Sequence, residues 1–498
     1  MNAWIIFILL FVLMLTGMPI SISLGLTVLT FLFAMTDVPI ESVALKLFTG
    51  IEKFEIMAIP FFILAGNFLT HGGVARRMIK FATSLVGHFH GGLALAGVMA
   101  CALFAAVSGS SPATVVAIGS IILPAMVAQG YPKRFGAGVI TTSGALGILI
   151  PPSIVMVIYA VSTNTSVGAL FMAGVIPGLA LAMLLGLTTW WLARKNNYPR
   201  VQLFPGRSGG KATVSAFIGL LVSVAFTVLP PLPILWLAQM LSGSMLIGVL
   251  VAFGLWLPVV YRIAKRTSLG LTYEGAEVWK TYWQSIWGLL LIVVVIGGIY
   301  TGIFTPTEAA AMSAVYAFVV AVFVYKDMSI ARVPKILLDS ASLSAMLLYI
   351  ITNAVLFSFL LTSEQIPQAM ADWILTQGLG QVAFLLVVNI LLLLAGNVME
   401  PSSIVLILAP ILFPVAMKLG IDPVHFGILI VVNMEVGMCH PPVGLNLYVA
   451  SGITQMGISE LTVAVLPWLF TMIVFLIVVT YWPPLSIWLP KTLGMMGG

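Results

Sequence analysis

The sequence predicts an all-α integral membrane protein made of two repeats of opposite orientation, each carrying a re-entrant helical hairpin and a broken helix. Three observations lead there. Of 498 residues, 61% are hydrophobic and only 7% charged, against about 25% charged in a soluble domain. The basic residues gather at particular ends of the apolar runs. The stretches GILIPPSIVMVIYA (147–160) and GMCHPPVGLNLYVA (437–450) carry Gly, Pro-Pro and Ala at matched positions 290 residues apart.

Apolar runs fall at roughly 3–16, 19–35, 54–71, 92–107, 112–128, 135–163, 168–193, 214–238, 242–261, 281–303, 307–325, 338–361, 381–399, 402–417, 423–456 and 463–487. Windows near 20 residues without a charge suit a crossing of about 30 Å of hydrocarbon. The first run has no basic stretch before it and reads as a retained membrane helix rather than a cleaved signal. Basic residues orient the rest. Arg76, Arg77 and Lys80 follow the third run, Lys133 and Arg134 the fifth, and Arg194 to Lys211 the seventh. Arg262 to Lys280 follow the ninth, and Lys326, Arg332 and Lys335 the eleventh. These 17 of the 21 Lys and Arg share the cytoplasmic face, as the positive-inside rule asks, under one topology. Runs 92–107 and 112–128 enter and leave from the cytoplasm, and 381–399 and 402–417 from outside. Segments 135–163 and 423–456 each make one long broken crossing. Each paired run crosses twice or not at all, so the charges equally allow ordinary spanning arms. The tips must decide.

The same offset matches Pro124 with Pro414, Gly130 with Gly420, and Pro151 and Pro152 with Pro441 and Pro442. The two hairpins enter from opposite faces, so the repeats are inverted. Inverted repeats with interrupted helices are how secondary transporters build a midplane site. The +6 net charge belongs to that membrane orientation and gives no reason to expect nucleic acid as a partner.

The first hairpin turns at Ser108–Thr114 and the second at Glu400–Ser403. Pro112 and Pro401 suit the first helical turn, where a missing N–H costs nothing. Ser111 and Glu400 stand where caps belong. Each tip therefore reads as a helix N-terminus deep in the membrane, offering free N–H groups to an anion. Carbonyls released by the prolines near Gly144–Pro151 and Glu435–Pro441 are ligands for a hard cation such as Na⁺. Ser110, Ser111, Thr114, Ser402 and Ser403 are the candidate substrate hydroxyls, and Asn446 a candidate substrate hydrogen-bonding group. The plainer alternative is that the prolines only kink helices and the small residues only pack.

Intramembrane ionisable groups are functional suspects, here Glu400 and Glu435. Glu400 can also simply cap its helix, and Glu435 can equally be a proton site, a structural partner or an indirect cation partner. Thr305 or Thr307, with Glu308, marks a well-capped helix start. Cys101 and Cys439 lie in apolar runs and read as small hydrophobes. His-Glu-x-x-His and the Gly-x-x-x-x-Gly-Lys nucleotide loop are missing from the sequence, and its one Gly-x-Ser-x-Gly match, Gly206–Gly210, lies in a basic stretch between apolar runs rather than within one, which argues against an intramembrane enzyme and a local ATPase.

SGSSPAT (108–114), GILIPPSI (147–154), GIFTPTEAAA (302–311) and PPVGLNLYV (441–449), in this order, resemble the large membrane subunit of tripartite ATP-independent periplasmic (TRAP) transporters, over residues 1–200 and 285–498. The resemblance implies an elevator-type transporter in a bacterial cytoplasmic membrane. It implies Na⁺-coupled uptake of an organic anion such as a dicarboxylate or sialic acid. It also implies an extracytoplasmic substrate-binding protein and a small four-helix membrane subunit as partners. Its cation sites map onto Ser108, Gly109 and Ser111 with Gly144, Gly147 and Pro151, and onto Gly396 and Glu400 with Gly437, Met438 and Pro441.

The expected organisation is a first repeat over 1–204, an insertion over 205–275 with two extra apolar helices, and a second repeat over 276–498. A self-sufficient proton- or Na⁺-coupled carboxylate carrier using Glu400 or Glu435 is the competing expectation.

Overall fold

The computed structural model describes residues 2–36, 39–199, 216–218, 220, 273–378, 380–397, 399–441 and 444–495. The expected 205–275 insertion lies almost wholly outside the described residues, as does Pro442. The described residues form an all-α, multi-pass integral membrane fold, with eight helices long and apolar enough to cross a bilayer.

The first part runs α1 (Asn2–Leu15), α2 (Ile20–Met35), α3 (Ile40–Thr49), α4 (Ala58–His71) and α5 (Val74–Val86). Then come α6 (Gly92–Ser108), α7 (Ser111–Ala128), α8 (Lys133–Gly144), a 3-10 turn at Ala145–Ile148, α9 (Ile154–Thr163) and α10 (Val167–Lys195). The second part runs α11 (Tyr273–Tyr300), α12 (Pro306–Val319), α13 (Val333–Ser363) and α14 (Ile366–Thr376). It continues with α15 (Gln381–Gly396), α16 (Pro401–Lys418), α17 (Pro423–Cys439), α18 (Leu445–Thr454), α19 (Ile458–Tyr481) and α20 (Pro484–Thr492).

Both long runs marked as broken do break. Segment 135–163 divides into α8 and α9 around the 3-10 turn and a cis Pro151–Pro152 peptide. Segment 423–456 divides into α17 and α18. Local chemistry sets the new ends. The Ser153 hydroxyl accepts from Met156 N at 3.4 Å to start α9, and Asp422 accepts from Val424 N and His425 N to start α17. Of the two candidate caps at 305–308, Thr305 forms a capping box with Glu308, while Thr307 bonds the Phe54 carbonyl.

Helix α5 was not among the apolar runs, because charges interrupt it. Its apolar residues recur on one face, where Val74, Ala75, Met78, Ile79 and Ala82 are buried, while Arg76 and Lys80 point outward. That periodicity is an amphipathic helix, and it packs on α6 and α11.

The halves interlock. Each helix before a break packs on its own hairpin, α8 on α6 and α7, and α17 on α15 and α16. Each helix after a break packs on the other one, α9 on α16 and α18 on α7. Tyr159 of α9 donates to the Pro423 carbonyl at 2.8 Å and meets Phe413 of α16 edge-on. Cys101 and Cys439 are buried free thiols within this apolar interior, as small hydrophobes are.

Candidate substrate and ion site

The two tips, far apart in sequence, line one cavity of about 280 Å³. The first contributes Ser108, Gly109, Ser110 and Ser111, and the second Glu400, Pro401 and Ser402, with Met438 from the end of α17. Helices α4 and α13 close the other side through Ile63, Gly66, Asn67, Leu343, Met346 and Leu347. Among the described residues, Glu400 is the one charged residue in this lining, and no Lys or Arg reaches it.

At the first tip α6 ends on Gly109, whose φ of +61° is the left-handed conformation that favours glycine. The cap of α7 is Ser110, and its side chain makes no capping bond. Ser111, expected to cap, is instead the first helical residue. Its hydroxyl points away from the helix start and donates to Asn446 Oδ1 at 3.0 Å. Thr114 turns inward too. Its hydroxyl donates to the Ser110 carbonyl at 2.8 Å and lies 3.0 Å from the Ser108 hydroxyl. Sequence position made Thr114 a substrate group; its helical register gives it the carbonyl one turn back, a common alternative for Ser and Thr.

The second tip follows the capping expectation. The Glu400 carboxylate accepts from Ser403 N at 3.4 Å and from the Ser403 hydroxyl at 3.2 Å. Ser403 is therefore committed to its cap, while Ser402 faces the cavity. His440 Nδ1 lies 2.9 Å from Asn397 Oδ1 and ties the break to the end of α15.

Of the glycines expected at the cation sites, Gly109 lines the cavity, whereas Gly144, Gly147, Gly396 and Gly437 lie behind it and let the breaks touch the tips. A Cβ at Gly147 would stand 2.6 Å from the Ser110 carbonyl oxygen and 2.8 Å from Ser111 Cα. Gly144 sits against Val115, and Gly396 and Gly437 face each other, a Cβ on either falling 3.0 Å from the other's Cα. Pro151 and Pro441 lie at the breaks themselves. Asn446 is fully buried and donates to Ser111 Oγ at 2.8 Å and to the Thr141 carbonyl at 3.3 Å. It clamps the first tip rather than lining the cavity.

Glu435 is fully buried in α17, and neither carboxylate oxygen has a hydrogen-bond partner among the described residues. It lies outside the cavity lining. Sequence reasoning missed the α4 and α13 wall. Its polar member Asn67, held by the Ser340 hydroxyl at 2.8 Å, was the one available signal, an amide inside an apolar run.

The cavity offers hydroxyls, one carboxylate and the amino ends of α7 and α16. Such ends bind anions, and oxygen donors of this kind suit hard cations.

Comparison with known proteins identifies the family. The family model described as "Tripartite ATP-independent periplasmic transporter, DctM component" matches residues 7–236 and 222–485. The C4-dicarboxylate TRAP transporter large permease protein of Rhodobacter capsulatus is 64% identical, over 99% of this chain and all of that one. Its namesake in Pseudomonas aeruginosa is 48% identical over 95% of both chains. The sialic acid TRAP transporter large permease protein of Vibrio cholerae is 31% identical over 96% of both. Among solved structures, the Alcanivorax borkumensis YdaH transporter, titled as having an unusual topology, aligns over 90% of both chains with a TM-score of 0.51 at 17% identity. That likeness concerns the fold alone.

Proposed function

The chain belongs to the DctM family, the large permease component of TRAP transporters, and we propose that it carries a C4-dicarboxylate into the cell by Na⁺ symport. Family membership makes it a transport protein of the membrane, not an enzyme. It is the permease of a system that imports organic anions delivered by an extracytoplasmic binding protein. The substrate class follows the names of the relatives at 64% and 48% identity. A small four-helix membrane subunit and a dedicated binding protein are its partners in this reading.

The observation that carries the reading is the convergence of both tips on one cavity. The starts of α7 and α16 lie inside the protein, facing each other's hairpin. An ordinary spanning helix would begin at the membrane surface instead. This supports re-entrant hairpins over the first and second repeats, 1–204 and 276–498, and a mobile body made of α6–α9 and α15–α18. The remaining helices form the scaffold, and transport moves the body along it as an elevator. Na⁺ is drawn to freed carbonyls and hydroxyls at Ser108–Ser111 with Gly144–Pro151, and at Gly396–Glu400 with Gly437–Pro441. The ion orders each tip, and the N–H groups and the Ser110 and Ser402 hydroxyls then hold the dianion. With no cationic side chain in the lining among the described residues, backbone dipoles and bound Na⁺ carry the anion's charge, and that couples the two cargoes.

The test is uptake of radiolabelled succinate into proteoliposomes holding the chain and its small membrane partner. Uptake is expected only with an inward Na⁺ gradient and the cognate binding protein together. Uptake driven by a proton gradient without the binding protein would overturn the proposal. It would favour a self-sufficient carrier, for which the unpartnered Glu435 is the natural proton site.

A further inference from the structure

A second cavity, of about 420 Å³, opens between α5, α11 and the turn after α12 that holds Val324 and Tyr325, and shares no described lining residue with the first. Its wall carries Arg76, Arg77 and Lys80 from α5, Trp283 and Trp287 from α11, and Tyr325. We infer that this pocket binds the phosphodiester headgroup of an anionic phospholipid in the cytoplasmic leaflet.

The pocket has fixed walls. Ser285 Oγ donates to the Arg77 carbonyl at 2.9 Å, and Ser84 Oγ lies 2.8 Å from Thr281 Oγ1, so α5 is pinned to α11 on both sides of the opening. Tyr325 OH donates to the Gln284 carbonyl at 2.9 Å, and Tyr316 OH to the Trp287 carbonyl at 2.7 Å. The Arg77 guanidinium stacks 3.7 Å from the centre of the Tyr325 ring, which holds it in place without using up its donors.

The charge is unbalanced. Asp327 pairs with Arg76 at 2.9 Å and also with Arg77. One carboxylate cannot saturate two five-donor guanidiniums, and exposed Lys80 has no ion-pair partner among the described residues. Trp283 is only 4% exposed, and its indole N–H has no acceptor among the described residues. Fixed cations, spare N–H donors and a tryptophan wall suit a phosphate oxygen at the top of an acyl chain. The setting favours a lipid over a free ion. Basic residues mark the cytoplasmic side, Trp and Tyr mark the membrane interface, and basic pockets between helices at that level take anionic headgroups.

The full chain, purified in mild detergent, is exposed to equal amounts of phosphatidylglycerol and phosphatidylcholine, and retained lipid is counted by native mass spectrometry. Phosphatidylglycerol is expected to be retained at least about fivefold over phosphatidylcholine, the contribution of a single interfacial cation. Arg76→Gln with Lys80→Gln is expected to abolish that preference, and Trp283→Phe to lower retention while leaving Tm nearly unchanged. Lys133→Gln, at another exposed cation of the same face, is expected to leave the preference intact. An unchanged preference in the Arg76→Gln, Lys80→Gln protein overturns the proposal. So does an equal loss with Lys133→Gln, which would mean a diffuse surface field. Displacement of the lipid by millimolar inorganic phosphate would make this a free-phosphate site and would overturn the lipid assignment.

Discussion

The Asn446 amide donates to Ser111 Oγ at 2.8 Å, joining residues 335 positions apart. The bond crosses from the helix after the second break to the start of the first hairpin's outgoing arm. A buried group that loses its partner costs about 1 kcal/mol or more, so Asn446→Leu is expected to lower Tm. It should also weaken Na⁺ activation of uptake several-fold, because the first tip loses its clamp. An unaltered Na⁺ dependence would mean that the clamp plays no part in ion binding.

Gly147 makes a sharper test, because what surrounds it is backbone. A methyl group there collides with Ser110 and Ser111 main-chain atoms at 2.6–2.8 Å, and no rotamer change relieves that. Gly147→Ala is expected to displace the first tip and cut uptake at least about fivefold, as strain of about 1–3 kcal/mol implies. Gly186→Ala, in α10 with nothing within 4 Å, should be neutral or stabilise by up to about 1 kcal/mol. Equal uptake by the two variants would dismiss the packed tip as a functional feature.

Lys53, just before α4, donates to the Val161 carbonyl and to Asn164 Oδ1, both at 2.6 Å. These acceptors close α9, part of the proposed mobile body, so movement of that body must break the bonds. Lys53→Met should change the maximal uptake rate by about twofold to tenfold, the range of one net hydrogen bond of about 0.5–1.5 kcal/mol, with little change in the half-saturating concentration. An unchanged rate would place α9 and α4 on the same side of the moving boundary.

Asp327 gives the pH dependence its sign. Burial alone would raise its pKa, but the hydrogen bonds and charges of Arg77 and Arg76 together outweigh that and hold it below the usual carboxylate value. Its ionised form is therefore the one that stabilises the fold. That contribution is complete above the ordinary Asp range near pH 4 and fades as pH falls through the depressed value. Tm measured from pH 8 to 5 should be insensitive to this group, whereas Asp327→Asn should lower Tm across the range. A wild-type loss between pH 7 and 6 would assign the stability to another group.

The second-tip cap separates charge from hydrogen bonding. Glu400→Gln keeps an acceptor for Ser403 N and should preserve Tm, while Glu400→Ala should lose about 1 kcal/mol of cap. If Glu400 also faces the cation, both variants lose Na⁺ affinity. Wild-type Na⁺ affinity in Glu400→Gln would leave it a cap alone.

Composition and the repeated Pro-Pro motif by themselves determined that this is a multi-pass α-helical protein with two interrupted helices. The cost of dehydrating backbone leaves few alternatives in a bilayer, and a proline pair beside glycine removes enough backbone donors to interrupt a helix, whereas the single prolines inside α7, α10 and α19 leave those helices continuous. Glu400 was legible as a cap for the same reason: its partner Ser403 is three residues away. Tertiary structure alone decided what each polar residue of the site faces. Ser111, Thr114 and Asn446 looked alike as substrate groups, yet Ser111 and Asn446 bond each other and Thr114 bonds Ser110. The cavity wall from Gly66, Asn67 and Leu347 and the amphipathic α5 with its cationic pocket were equally hidden. A hydrogen bond across 335 residues depends on how the helices around the two breaks dock, and docking is set by the shapes of many side chains at once, which no local pattern records.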